Sequence, residues 1–413
     1  MVSNNSIRFV SMAVLSCATA LTGYAGAANA ASMTDNVIRI GVMNDQSGVY
    51  SDNCGPGSTA VVKLVAEDFG NEIGGAKIEV VVADDQNKPD VGVATARKWV
   101  EQEGVDVIVG CSASSIALAV HEIMRTNEKP YLIAGTATPD LTREACSPYT
   151  IQWVHDTYAL PKGTVTPLLA DGKDSWYFIT VDYTFGKQYQ DDATRFIEGA
   201  GGKVVGSVLH PLGTTDFSSQ LLQAQASGAQ VIGIANSGTD FGNLIKQAKE
   251  FGIAEAGQVL APLGIQINMI HSIGLDAAQG LRFGTAMYWD ANDETRAFTK
   301  RFQESFKADR VPNEAHLGTF TAVKHYLKAV QALGTDDGKA VSEWMHENPV
   351  EDFIHKDIKI RADGQLMRPV LSARIKSPDE SKYPWDYYEI TGELPGEEAW
   401  TPVSENKCPA LKG

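Results

Sequence analysis

The stretch GCSASSIALAV, Gly110–Val120, crowds a cysteine and three serines, Ser112, Ser114 and Ser115, between an apolar run (Val105–Gly110) and a helix-like run (Ser115–Thr126). A nucleophile on a strand-to-helix turn is one chemistry this could serve. That turn requires G-x-S-x-G, because small residues must flank the nucleophile, and here the second glycine is missing. A base is missing too. His121 lies nine residues beyond Ser112, about two and a half helical turns away. Cys111 would need a depressed pKa and no disulfide partner to react. Binding is the other chemistry. A helix start offers unpaired N–H groups and the positive end of its dipole. Serine hydroxyls there add donors and cap the helix, and the combination suits a carboxylate or another small anion. No catalytic residue is expected, and Ser112 is expected to hold a ligand without changing it.

The same design recurs. YLIAGTATPDLT, Tyr131–Thr142, runs from a strand into Gly135, Thr136 and Thr138, with Pro139 suited to a first helical turn. ITVDYTFG, Ile179–Gly186, ends a strand on Asp182, Tyr183 and Phe185, and GIANSGTDFG, Gly233–Gly242, ends one on Asn236, Ser237 and Asp240. Two of these turns lie in the first half of the chain and two in the second, like two lips of a cleft. The eight histidines are scattered and read as structural. Trp153, His155, Tyr288 and Trp289, near the ends of the two halves, are expected to pack in cores, with the lining of an aromatic pocket as the alternative. With no HExxH, CxxC, GxxxxGK[ST] or GxGxxG, neither a metal nor a cofactor is expected.

The elements that must position these turns alternate. Near-continuous Val/Ile runs such as VIRIGVM, KIEVVVAD, SWYFITVD and QVIGIAN are separated by helix-length segments such as VGVATARKWVEQE and DFGNLIKQAKEFG. In the last, Phe241, Leu244, Ile245 and Ala248 share one face. Such alternation predicts parallel sheets with right-handed crossovers. It occurs twice, from about Val37 to His155 and from about Asp174 to Tyr288, and 413 residues are too many for one core. Two α/β domains place ligand crevices at the carboxyl ends of their strands. IHKDIKIRADGQLMRPVLSARI reads as a β-hairpin turning at Asp363-Gly364, and the last 20 or so residues read as an extended tail.

A net charge of −16 argues against nucleic acid as a partner. Arg8, the apolar run Phe9–Gly26 and the small residues Ala28 and Ala30 read as a signal peptide (1–30) cleaved after Ala30. Lipidation at Cys17, in VLSC, is the minor alternative. Export leaves Cys54, Cys111, Cys146 and Cys408, an even set that suggests two disulfides in an oxidising compartment. Four cysteines allow three pairings.

The chain resembles the periplasmic substrate-binding proteins of ABC importers, of the branched-chain amino acid type. The likeness rests on IRIGVMNDQSGVYS, VIVGCSASS, GTATPDLT, VDYTFGKQ, DFSSQLLQAQASGAQVIGIAN and QAKEFG in this order. It implies a type I Venus-flytrap fold: two Rossmann-like lobes joined by three crossings, near 155–158, 286–290 and 353–357. Lobe 1 would be 36–155 plus about 290–353, lobe 2 would be 156–287 plus about 358–390, and 391–413 the tail. It implies ligand contacts at Tyr50, Ser112, Ser114, Gly135, Thr136, Thr138, Tyr183, Phe185 and Ser237. Partners would be a small-molecule ligand and the membrane permease of an ABC transporter, with the protein itself a monomer and no enzyme. It also implies disulfides Cys54–Cys111 and Cys146–Cys408.

One departure matters. In LAPLGIQ, Leu260–Gln266, the position where amino-acid binders offer an acid to the ammonium is Leu263. A buried ammonium lacking a carboxylate is poorly satisfied, and Asp182 and Asp240 are not at the expected place. On this ground the ligand is expected to be a carboxylate or amide without an α-amino group, an aromatic or short-chain acid. The alternative is a branched-chain or other amino acid. A ligand-sensing receptor on the same scaffold and, last, a serine hydrolase using Ser112 are the remaining readings.

Overall fold

The computed structural model describes residues 1–2 and 33–412, so the leader, Cys17 and Ala30 lie outside the described residues. The first round of alternation forms β1 (Val37–Asn44), α1 (Gly55–Asp68), β2 (Glu72–Ile73), β3 (Ala76–Asp84), α2 (Pro89–Gln102), β4 (Val107–Gly110), α3 (Ser114–Thr126), β5 (Tyr131–Ile133) and β6 (Thr150–Gln152). Their sheet has the order β2-β3-β1-β4-β5-β6 and is parallel except for β2. β4 is buried at every residue, so a continuous apolar run encodes it rather than an alternating one.

The second round forms α4 (Ala159–Ala170), β7 (Ser175–Val181), α5 (Thr184–Gly199), β8 (Lys203–His210), α6 (Ser218–Ala226), β9 (Val231–Ala235), α7 (Gly238–Glu250) and β10 (Val259–Pro262). Its sheet, β10-β9-β7-β8, is wholly parallel. Each sheet starts from an inner strand and winds outward both ways. β1 pairs with β3 and β4, and β7 with β8 and β9. The crevices of such sheets open where the winding reverses. They therefore lie between the ends of β1 and β4 in the first lobe, and of β7 and β9 in the second. The turns singled out in the sequence at Cys111–Ser112, Asp182–Tyr183 and Asn236–Ser237 follow β4, β7 and β9.

The chain continues through α8 (Ile267–Ile273), α9 (Leu275–Ala278), β11 (Arg282–Thr285), α10 (Asp293–Phe306), α11 (Glu314–Leu333), α12 (Gly338–Glu347), β12 (Val370–Ile375), β13 (Tyr388–Leu394) and α13 (Gly396–Ala399). Phe298, Phe302, Phe320 and Tyr326 of α10 and α11 share a core with Ile40, Val61 and Trp153. Strands β11, β12 and β13 form an antiparallel sheet whose Phe283, Ala373 and Tyr388 join the core of the second lobe.

One expectation needs correction. The segment around Asp363-Gly364 is only a turn closed by one Ile360–Leu366 bridge, because Val370–Ile375 pairs with β11 and β13 instead. Ile358, Ile360 and Leu366 are buried in the first core with Ile40 and Trp153, and Val370 packs with Ala159, Ala399 and Trp400. Arg368, fully buried, lies 3.3 Å from Asp352.

The tail is tied down along its length. Trp400 is buried and donates Nε1–H to the Arg368 carbonyl at 2.8 Å. Asn406 donates to the Thr142 carbonyl at 3.0 Å and to Asp363 at 2.8 Å. Cys408 is bonded to Cys146, and Cys54 to Cys111, the pairing that the resemblance implies. Arg195 of α5 holds Glu405 at 3.2 Å. The tail thus leaves a second-lobe strand, touches a second-lobe helix and ends welded to the first lobe.

Candidate functional site

β4 delivers the chain into Cys111, Ser112 and Ala113, and α3 begins at Ser114. Ala113 occupies the N-cap, with no side-chain cap, so the serines do not cap this helix as expected. The first turn keeps its N–H groups and positive dipole end available. Ser114 Oγ is buried without a hydrogen-bond partner. Ser112 Oγ donates to the Met43 carbonyl at 3.3 Å, and Thr136 Oγ1 donates to the Ser112 carbonyl at 2.6 Å. The turn after β5 is thereby stitched to the turn after β4. Gly135 has to be glycine, because a Cβ there would overlap the Cys111 sulfur of the disulfide that ties the β1 and β4 loops together.

The second lobe supplies the facing lip. Tyr183 and Ser237 stand at the N-caps of α5 and α7, and Phe185 lies in the first turn of α5. Tyr50 and Tyr183 meet hydroxyl to hydroxyl at 2.8 Å. Asn53 donates to Ser237 Oγ at 3.4 Å, and Thr239 N–H to the Val49 carbonyl at 3.4 Å. The cleft is therefore closed. A cavity of about 590 Å³, its mouth included, remains between the lobes. Tyr50, Ser112, Ser114, Gly135, Thr136, Tyr183, Phe185 and Ser237 all line it. Thr138 does not. Its Oγ1 accepts from Asp140 N–H at 3.3 Å and caps the short turn of helix at Pro139–Thr142. Trp153 donates to Thr321 in the first core, and Tyr288 and Trp289 pack in the second.

Sequence reasoning missed part of the wall. Leu160, Tyr189, Ile265 and Met269 give it apolar surface, and Asn53 and Gln266 add amides. It also missed the ion pair at the cavity. Glu314, the first residue of α11, lies 2.8 Å from His155 Nδ1 through Oε1. Its Oε2 accepts from Thr285 Oγ1 at 2.8 Å and from Ala286 N–H at 2.7 Å. His155 Nε2 points at the Gly135 carbonyl, 3.2 Å away. Burial opposes charge on both groups, but each outweighs it for the other. The His155 pKa lies above and the Glu314 pKa below its ordinary value.

Leu263 does not stand in for an acid at this site. It is fully buried in the core of the second lobe with Phe178 and Ile197, and the cavity is met by the residues after it, Gly264, Ile265 and Gln266. Asp182 is half-exposed and paired with Lys187 at 2.8 Å. Asp240 is buried, accepts from Gly213 N–H at 3.0 Å and is pushed up to about 6 by burial. Neither lines the cavity.

Residues 37–381 match the periplasmic binding protein family. The chain belongs to that family. A periplasmic binding protein of Burkholderia mallei, known as a crystal structure, is 39% identical, with a TM-score of 0.88 over 91% of this chain and 99% of that one. The structure of a branched chain amino acid ABC transporter periplasmic ligand-binding protein from Burkholderia xenovorans LB400 is 34% identical, with a TM-score of 0.79 over 91% and 100%. Leu/Ile/Val-binding protein homolog 6 of Brucella abortus is 27% identical over 79% of this chain and 85% of its own. As a periplasmic binding protein, this chain is a carrier and not an enzyme: it captures a small solute outside the cytoplasm and delivers it to the permease of an ABC importer. Among the described residues no group of side chains could hold a metal ion.

Proposed function

We propose that the solute is an α-amino acid with an apolar side chain. The observation that carries this reading is that one cavity is lined both by an uncapped helix start with an unpaired Ser114 hydroxyl and by the Glu314 carboxylate. The first suits a ligand carboxylate. The second suits an ammonium, since a buried charge needs a partner. Phe185, Tyr189, Leu160, Ile265 and Met269 offer an apolar wall for the side chain. The amino-acid transport role in the name of the B. xenovorans relative supports the same ligand class. The expectation of a ligand without an amine rested on Leu263, which faces the core.

Ligand docks on one lobe and the hinge passages then close the other over it. Only contacts made to both lobes at once favour the closed form. The carrier acts as a monomer, after cleavage of its leader behind Ala30. A thermal-shift screen of amino acids against aromatic and aliphatic carboxylates tests the ligand class, because bound ligand raises Tm by mass action. Apolar amino acids are expected to give the largest shifts. Larger shifts with benzoate or 4-methylpentanoate than with any amino acid would reject the reading.

A further inference from the structure

Charged or hydrogen-bonding side chains in a ligand cavity divide into those that can meet the ligand and those that hold the first kind in place. His155 lines the cavity, is 5% exposed, and has a protein oxygen within 3.2 Å of each ring nitrogen. Nδ1 faces Glu314 Oε1 at 2.8 Å, and Nε2 faces the Gly135 carbonyl at 3.2 Å. The Nδ1 contact is a charge pair rather than a well-aligned hydrogen bond, and each nitrogen already faces a protein oxygen. Glu314 differs. Oε2 has two donors, Thr285 and Ala286, while Oε1 has His155 alone and keeps a lone pair free.

The two partners of His155 belong to opposite ends of the proposed site. Gly135 leads into Thr136, whose hydroxyl is bonded to the Ser112 carbonyl beside the start of α3. Glu314 is the carboxylate at the other pole. His155 also sits where the chain first leaves the lobe 1 sheet, between β6 and α4, whereas Thr285 and Ala286 lie where β11 leads back. The pair therefore joins the first two passages between the lobes as well as the two poles of the site.

We propose that His155 is a positioning residue for ligand recognition: it fixes Glu314 Oε1 relative to the Ser112–Thr136 turn, so that preference for an α-amino acid over its des-amino analogue depends on His155. This rests on the amino-acid reading above. A carboxylate that can swing loses the alignment that makes a charge-assisted bond strong, whereas a ligand with no amine never used that bond.

The test titrates leucine and 4-methylpentanoate, by calorimetry, into the wild-type protein, His155→Ala, His155→Gln, Glu314→Gln and the double variant His155→Ala/Glu314→Gln. Wild type is expected to prefer leucine. In His155→Ala, leucine affinity should fall at least about tenfold and 4-methylpentanoate affinity less than about threefold. His155→Gln, which retains an N–H donor, should recover part of the preference. The double variant should discriminate no worse than Glu314→Gln alone, because residues acting through one contact are not additive. Equal losses for both ligands in His155→Ala and His155→Gln, in protein that melts cooperatively, would overturn the positioning role and leave the amino-acid reading standing. A wild-type protein that prefers 4-methylpentanoate would overturn both.

Discussion

The hydroxyls of Tyr50 and Tyr183 lie 2.8 Å apart and bridge the cleft from the β1 loop of one lobe to the start of α5 in the other. Burial pushes both phenols above their ordinary pKa, so each stays a neutral hydroxyl able to donate or accept. This bond exists only when the lobes are closed. Tyr50→Phe is expected to weaken ligand binding by about 1 kcal/mol, through faster release rather than slower capture. Stopped-flow binding separates the two rates, and an unchanged release rate would show that the bond does not hold the cleft shut.

Gly238 makes a second clasp possible. Its φ is +65°, and a Cβ there would run into the Val49 carbonyl and the Tyr50 ring of the other lobe. Gly238→Ala should cost about 1–2 kcal/mol of local backbone strain and hold the lobes apart. Its expected signature is weakened binding together with a larger radius of gyration, by small-angle X-ray scattering, at saturating ligand. A ligand-bound radius equal to that of wild type would contradict it.

Ser114 should separate stability from binding. A buried hydroxyl without a partner costs free energy in the ligand-free protein and returns it when a ligand oxygen arrives. Ser114→Ala is therefore expected to leave the ligand-free Tm unchanged or raised, while weakening binding by about 1–3 kcal/mol. A drop in ligand-free Tm with full affinity would assign the hydroxyl to the fold instead.

These sites were unequally legible. Ser112, Gly135, Tyr183 and Ser237 could be read because each follows a strand whose Val/Ile run announces its own end, and a parallel sheet puts such ends on one edge. Glu314 was not legible, because the apolar periodicity of α11 is recognisable only from about Gly318, one turn after the helix begins. The available signal was Asn313, which accepts from His316 N–H at 3.1 Å as the N-cap and places Glu314 in the first turn. Leu263 misled for a related reason. Alignment by loop places a residue near a cleft, but not its side chain, and one step along an extended backbone reverses direction. The antiparallel β11–β12–β13 sheet was missed because β11 lies far along the chain from its partner β12, while the turn at Asp363-Gly364 suggested that Val370–Ile375 pairs with the segment just before it.

The Cys146–Cys408 bond closes the longer of the two disulfide loops, with a sequence separation of 262. A native disulfide typically contributes about 2–5 kcal/mol, and this one also anchors the tail that Arg195 holds from the second lobe. Cys146→Ser/Cys408→Ser is expected to lower Tm by several degrees and to make the segment after Leu394 the first to exchange its amide hydrogens. Unchanged protection of 395–408 would show that Trp400 and Asn406 fix the tail without the bond.

One buried ring makes a separable contribution to the pH dependence of stability. His325 lies between Trp153 and Trp344, with ring centroids 5.9 and 5.3 Å away, and Nε2 donates to the Met345 carbonyl at 3.1 Å. Burial pushes its pKa down to about 4 from 6.5. Below about pH 6.5 the unfolded chain binds a proton that the folded protein refuses, so stability is lost as pH falls from there toward 4. His316 behaves alike, also near 4. Asp156 and Asp240, pushed up to about 6 by burial, act in the opposite sense over the same range. The curve of the whole protein mixes these contributions, and a variant separates them. His325→Phe keeps an aromatic ring and loses both the hydrogen bond and the titration. Its stability relative to wild type is expected to improve by about 2 kcal/mol between pH 7 and pH 5, measured by urea unfolding. The same difference at both pH values would mean that the buried ring accepts its proton without cost.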